Sequence, residues 1–268
     1  VAERLPITRD DLVRDLRALG VRAEDRLMLH ASLRALAGDG AIVVGGPVAV
    51  VEALQIVLTP RGTLIMPAFS ADYSDPASWS NPPVPAAWWA KIREGMPAWR
   101  PDRAATWGIG AVAESFRRQR GVRRSLHPHF SFCAWGRGAR KIVGDVALDD
   151  PLGPRGVLGR LRARRARVLL LGCGFRSCTA FHLAEHETRH PPPRRTAAAP
   201  LLDDAGDRRW LRWSEPAYDA RRFGRIGEAY AGAEGCRRGT VGRAEAFLFD
   251  LADGVAFARG WLDRPGLG

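Results

Sequence analysis

The chain has 268 residues, 46% of them apolar and 26% charged, with a formal net charge of +12. That length supports one large domain able to bury a core without disulfides or a structural metal, and the balance excludes disorder and collagen-like repeats. No apolar run approaches the roughly 18 residues of a membrane span, and the opening Val1-Ala2-Glu3-Arg4-Leu5-Pro6 lacks the apolar core of a signal peptide, so a cytoplasmic chain with no membrane partner is expected.

The elements follow in chain order. Thr8-Arg9-Asp10-Asp11 has capping-box spacing with Asp in place of Glu, and predicts a helix ending at Gly20. Arg26–His30 reads as a short buried strand, and Gly45-Gly46-Pro47 opens a periodic apolar stretch through Val48, Val51, Leu54 and Leu58. Proline suits the first helical position, where its missing N–H would have been unpaired. Thr63–Met66 is the next strand, and strand, helix, strand in this order indicates an α/β domain. Ala68–Arg103 is long, irregular and rich in Trp, Pro and Ser, a composition that marks a functional loop. A helix is expected within Gly108–Arg120 and strands at Phe130–Trp135 and Arg167–Leu171, the latter followed by Gly172-Cys173-Gly174 and a helix from about Thr179 to the stop at Pro191-Pro192-Pro193. From Thr240 to Leu262, the apolar set Val241, Ala244, Leu248, Leu251, Val255 and Trp261 predicts one long amphipathic helix.

A basic chain favours polyanions. Only Lys91 and Lys141 among the 41 cationic side chains are lysine, and the arginines are scattered, with small knots at 162–167, Arg194-Arg195 and Arg221-Arg222. A nucleic-acid binder gathers its charge on one arm or helix, so no nucleic-acid partner is expected. Cys133, Cys173, Cys178 and Cys236 read as free thiols.

Four constellations carry chemistry. At Val43-Val44-Gly45-Gly46-Pro47, glycines admit a close backbone approach and the helix start that follows favours an anion such as a pyrophosphate; the alternative is an ordinary helix start. In Thr179–Glu187, His182 and Glu185 stand three apart on one helix face after a strand's carboxyl end, where open α/β sheets place their sites. A carboxylate beside an imidazole makes a base and its orienter. The same string matches H-x-x-E-H, a zinc pattern, with Glu228, Glu234 or Glu245 as a possible third ligand. Arg123–Ser131 offers arginines, hydroxyls and histidines to a phosphate, or is a solvated basic loop. Asp72, Asp75, Asp102, Asp149 and Asp150 lie near aromatics and suit a cationic ligand, or are turn residues.

Six strings in order, Leu29–Leu36, Val43–Pro47, Gly62–Phe69, Gly121–Gly136, Leu169–His186 and Gly239–Phe247, resemble the aminoglycoside 3-N-acetyltransferase family, which is unrelated in fold to the GNAT acetyltransferases. They span nearly the whole chain. Ala31 stands where many members have Ser, and the stretch from Asp72 to Trp99 resembles only a subset of the family. The resemblance implies a single domain over 1–268: a three-layer α/β/α sandwich around a mixed, largely parallel sheet, with 68–103 as the substrate loop. It implies transfer of an acetyl group from acetyl-CoA to the 3-amino group of 2-deoxystreptamine in aminoglycoside antibiotics, conferring resistance, without a metal, by a monomer or homodimer. His182 is the implied base, Glu185 its orienter, and Thr179 or nearby N–H groups the oxyanion stabiliser. Coenzyme A contacts are expected from His30, Ala31, Ser32, Leu33, Val44, Gly45, Gly46, Arg124, Ser125 and Ser131, and aminoglycoside contacts from Asp72, Tyr73 and Glu185. An acyltransferase of the same build for another amine and a zinc hydrolase remain as rivals.

Overall fold

A computed structural model of the chain describes residues 5–264. Among the described residues nine strands form: β1 (Arg26–Ala31), β2 (Thr63–Pro67), β3 (Arg123–Arg124), β4 (Phe132–Gly136), β5 (Arg167–Leu171), β6 (Arg194–Leu202), β7 (Arg208–Pro216), β8 (Arg237–Val241) and β9 (Ala244–Asp250). Seven make one mixed sheet in the order β3-β4-β2-β1-β5-β9-β8. Its centre, β2-β1-β5, is parallel, and pairing is antiparallel outward on both sides.

The central strands are buried on both faces, as parallel strands under helices must be. Side chains alternate between two separate cores. Leu27, Leu29, Leu64, Met66, Leu169 and Leu171 face one core, which includes Leu12, Leu16, Val51, Leu54, Val112 and Phe116. Met28, Ile65, Val168 and Leu170 face the other, which includes Leu158, Phe181, Phe223, Ile226 and Val255. The helices that supply these residues complete the three layers: Arg9–Leu19, Gly46–Leu58 and Ala111–Arg117 on one face, and Val157–Ala163, Phe181–Glu185, Phe223–Tyr230 and Leu251–Leu262 on the other.

The first helix begins and ends where its sequence says. Thr8 accepts from the Asp11 N–H, the Asp11 carboxylate accepts from the Thr8 N–H, and Gly20 closes the end with φ 101°. The tail differs from expectation. Thr240–Leu262 is not one helix but strand, turn, strand and helix, with Gly242 (φ 58°) in the turn and Asp250 capping Leu251–Leu262 through the Ala252 N–H at 2.8 Å. Val241, Ala244 and Leu248 belong to one core and Leu251, Val255 and Trp261 to the other, so they never shared a face. A spacing of four satisfies strand alternation as well as a helical turn.

A two-stranded hairpin, β6–β7, stands apart from the main sheet. Its turn is built by Asp203, whose Oδ1 accepts from the Ala205 and Asp207 N–H groups. It is tied to the Trp-rich segment: Trp99 N–H donates to Pro200 at 2.7 Å, and Arg208 and Trp210 donate to the carbonyl of Arg93. That segment is less irregular than expected, holding three 3₁₀ turns and a helix at Trp89–Gly95. Among the described residues no helix is long and apolar enough to cross a membrane.

Helix Phe223–Tyr230 reaches the sheet end through Gly227, where an added Cβ would lie 1.9 Å from the Phe175 Cβ. Phe175 in turn stacks on Phe181 at 6.1 Å. Gly227→Ala should therefore destabilise the fold by about 1–3 kcal/mol through overpacking, lowering Tm by about 2–4 °C for each kcal/mol, as thermal unfolding followed by circular dichroism would record.

Candidate active site

The parallel register sets His30 beside Leu170 and Ala31 beside Leu171 at the carboxyl ends of β1 and β5. Just past β5, Gly172 turns the chain with φ 67°, and a Cβ there would meet those of Ala35 and Ala244 at 2.6 and 2.9 Å. A 3₁₀ turn at Phe175–Ser177 and the short helix Phe181–Glu185 follow. They close a cavity of about 250 Å³ whose wall includes His30, Ala31, Phe69, Cys173, Thr179 and His182.

His182 Nδ1 lies 2.6 Å from Glu185 Oε2. The other carboxylate oxygen accepts the Asp219 N–H at 3.3 Å. The imidazole is held edgewise to Tyr218 (centroids 5.0 Å apart) and against Phe223 (4.7 Å). With an ionised Glu185, Nδ1 carries the proton and Nε2 keeps its lone pair; Nε2 has no protein partner among the described residues. Tyr218, Asp219 and Phe223, which fix this pair, were not singled out in the sequence. They follow an unforeseen hairpin and carry no local pattern of their own.

Glu185 is only 5% exposed. It lines not the His182 cavity but a separate one of about 860 Å³, shared with Tyr218, Arg189 and Arg222. Each carboxylate oxygen already has one protein partner, His182 for one and a backbone N–H for the other. The Thr179 N–H donates to His30 Nε2 at 3.4 Å, leaving the hydroxyl as what Thr179 can offer an oxyanion. Burial holds His30 neutral, its pKa down at about 3, and the nearby His182 pushes the same way.

The second histidine of the H-x-x-E-H string has other partners. His186 Nε2 is 3.1 Å from the Tyr218 hydroxyl and Nδ1 is 3.6 Å from Asp150. Glu245 pairs with Arg238 on the outer strands. Among the described residues no group of three or more His, Cys, Asp or Glu is placed to hold a metal.

Three of the expected coenzyme contacts are corrected. Arg124 Nε donates to Ser131 Oγ at 2.8 Å. Its Nη1 donates to the carbonyls of Pro101 and Ala104, and its Nη2 to Ala68 O at 2.6 Å and Ser70 Oγ at 3.1 Å. That accounts for all five guanidinium N–H donors. The Ser131 hydroxyl donates to Ala68 O, and Ser125 Oγ accepts the Phe132 N–H, both serines fully buried. His127 is buried too, accepting the His129 and Phe130 N–H groups through Nδ1, and burial takes its pKa down to about 4. The loop that promised a phosphate clamp is a hydrogen-bonded hub.

The remaining coenzyme candidates divide. His30 and Ala31 line the cavity. Ser32 caps the helix Leu33–Ala37 by accepting the Ala35 N–H. Val44 is exposed, and helix Gly46–Leu58 starts with no side-chain cap, with positive φ at Gly45 and Gly46. A Cβ at Gly46 would meet nothing within 4 Å, so that glycine answers backbone conformation and not crowding. The turn does not line the His182 cavity.

Of the acidic set, Asp75 pairs with Arg93, Asp102 with Arg100, and Asp149 and Asp150 with Arg155. Asp72 differs: its Oδ1 is buried without a hydrogen-bond partner among the described residues, and burial pushes its carboxyl up. It lines a neighbouring cavity of about 430 Å³ with Asp75, Trp79, Trp107 and His129, while Tyr73 lines neither this cavity nor that of His182. The Trp107 N–H, donating to Phe69 O, joins the walls of the two cavities.

A family model described as aminoglycoside 3-N-acetyltransferase matches residues 28–263. The SPbeta prophage-derived aminoglycoside N(3')-acetyltransferase-like protein YokD of Bacillus subtilis (strain 168) is 38% identical over 96% of this chain and 93% of its own length. The YokD crystal structure matches with a TM-score of 0.93 over 98% of this chain and 96% of that one. AAC-VIa bound to sisomicin matches at 32% identity and TM-score 0.84 over 97% and 98% of the two chains. AAC-IIIb in binary complex with CoASH matches at 28% identity and TM-score 0.83 over 96% and 97%.

Proposed function

The chain belongs to the aminoglycoside 3-N-acetyltransferase family, and from that membership we propose that it acetylates the 3-amino group of the 2-deoxystreptamine ring by direct attack of the amine on acetyl-CoA, with His182 as general base. The observation that carries the mechanism is the oriented pair at the strand ends: Nδ1 committed to Glu185 at 2.6 Å and Nε2 left for chemistry on the cavity wall. His182 takes a proton from the attacking nitrogen, Glu185 stabilises the imidazolium so formed, and the same proton then goes to the departing sulfur. Thr179 offers its hydroxyl within the same cavity.

The donor fits the residues present. Relatives of this build include one solved with CoASH, and coenzyme A brings phosphates to a +12 chain. His30 and Ala31 would flank its reactive end, with Ser32, Leu33 and the uncapped helix start at Val44, Gly45 and Gly46 further along. The acceptor is polycationic, and the unpartnered Asp72 oxygen is an acceptor waiting for a donor. The ammonium first gives one proton to solvent and attacks as the neutral amine, so acetylation removes one cationic charge from the antibiotic. A coupled assay of thiol release across a panel of aminoglycosides tests the reading. Stoichiometric thiol with substrates bearing a free 3-amino group supports it; no turnover with any of them, alongside acetylation of another amine, favours the rival transferase.

A ping-pong route would need a thiolate. Burial pushes the Cys173 thiol up to about 11 and the Cys178 thiol higher still, so neither is a ready nucleophile at neutral pH. Cys173→Ala should keep kcat within a few-fold, measured by the same assay, and a stable acetyl-enzyme on incubation with acetyl-CoA alone would contradict direct transfer. Asp72→Asn keeps the shape and removes the charge. Losing a charged hydrogen bond worth about 1.5–3 kcal/mol should weaken aminoglycoside binding roughly tenfold or more in calorimetry. Tm should hold or rise, because the buried Asp72 Oδ1 has no partner to lose and carries a desolvation cost.

A further inference from the structure

We infer that His30 is the hydrogen-bond donor to the thioester oxygen, acting through an Nδ1–H whose tautomer is fixed by the backbone of Thr179. The inference rests on the transferase reading above. It begins with a shortage of backbone donors at the helix start beside His182. The N–H groups of Ser177, Cys178, Phe181 and His182 donate to the carbonyls of Gly174, Phe175, Cys178 and Thr179 respectively. That of Thr179 goes to His30. With five of the six N–H groups from Ser177 to His182 committed within the protein, a carbonyl oxygen that gains charge as the amine adds is best served by a side-chain donor on the cavity wall.

The Thr179 contact decides what His30 can do. Its Nε2 accepts an N–H at 3.4 Å, so in the neutral ring the proton sits on Nδ1. That atom has no protein partner among the described residues, and the residue lines the cavity shared with His182. Neutrality is part of the design. His182 becomes an imidazolium during turnover, and a second cation in a cavity of about 250 Å³ would oppose that charge. Burial keeps His30 uncharged down to about pH 3, so it stays a dipolar donor while its neighbour cycles.

The proton and electron accounts then separate. The nitrogen lone pair forms the new C–N bond, the carbonyl π pair moves onto oxygen, and His30 Nδ1–H donates a hydrogen bond to that oxygen without giving up its proton. His182 removes the proton from nitrogen. As the oxygen pair re-forms the carbonyl and the C–S bond breaks, His182 returns that proton to sulfur.

Two measurements use the unaltered protein. The ¹⁵N shifts of His30 should report a neutral ring protonated at Nδ1 from pH 5 to 8; an Nε2-protonated ring or an imidazolium overturns the assignment. In infrared difference spectra, the carbonyl stretch of ¹³C-labelled acetyl-CoA should fall on binding, and a bound carbonyl at its free frequency equally overturns it. His30→Phe should lose the infrared shift and about 10²–10³ in kcat with KM for acetyl-CoA little changed. His30→Asn, whose amide nitrogen takes the place of Nδ1, should restore part of both; no difference between the two variants counts against the donor role. Failure of acetyl-CoA to bind at all would bring down the transferase reading itself, whereas binding with an unshifted carbonyl removes only the role given to His30.

Discussion

His182→Ala should lower kcat by about 10²–10⁴, the usual range for a positioned proton acceptor, while affinity for acetyl-CoA changes little. The imidazole is the one group on the cavity wall that combines an anchored Nδ1 with an uncommitted Nε2. Glu185 acts through the ring, being absent from the wall of the His182 cavity and lining a different one. Glu185→Gln should therefore cost less, roughly 10–10², because the neutral amide can still hold the ring but no longer stabilises its charged form. The double variant should be no slower than His182→Ala alone, as expected when one residue acts only through another. Steady-state kinetics on the three proteins, with circular dichroism to establish folding, is sufficient. Near-normal turnover in His182→Ala removes the base, and a double variant markedly slower than the single gives Glu185 a separate role.

The pair was legible because its geometry is local. Three residues of spacing on a helix, after a run as apolar as Arg167–Leu171, fix both the face and the strand end without knowledge of anything distant. The same holds for the Thr8 capping box and the central strands. What was not legible depends on contacts far apart in sequence. Tyr218 and Phe223 wall in His182 across 36 and 41 positions, and no pattern near them announces it. The β6–β7 hairpin has a turn signal, Asp203 and Gly206 between two runs that pair residue for residue, but neither run alternates apolar and polar residues in a way that marks a strand. The tail differs for another reason: apolar steps of three and four fit one helix face, and they fit equally a hairpin followed by a helix whose chain changes layer at Leu251.

Arg124 shows the limit most sharply, because a sequence reveals a charge and not what consumes it. Arg124→Met should destabilise the protein by about 3–5 kcal/mol, since the carbonyls of Ala104 and Pro101 and the hydroxyls of Ser70 and Ser131 would each lose this donor, and a buried acceptor left unpaired costs roughly 1–3 kcal/mol. Against a typical total of about 5–15 kcal/mol, that is a large share, and Tm should fall by on the order of 10 °C. The guanidinium joins three stretches at once, 68–70, 99–104 and Ser131, and packs on Trp99 with its carbon 5.4 Å from the ring centroid. Methionine replaces the stem and none of those bonds. Arg124→Lys is the sharper probe: an ammonium keeps the charge a phosphate would want but has three donors at one point, too few and too close together for the span. A structural hub therefore predicts that Lys and Met lower Tm alike, while each folded variant, held well below its Tm, binds coenzyme A with Kd within about threefold of the parent, a difference of only a few tenths of a kcal/mol. If Lys instead preserves both Tm and binding while Met loses coenzyme affinity at unchanged Tm, the guanidinium is a phosphate ligand and the hub is not what holds this side of the cavity together.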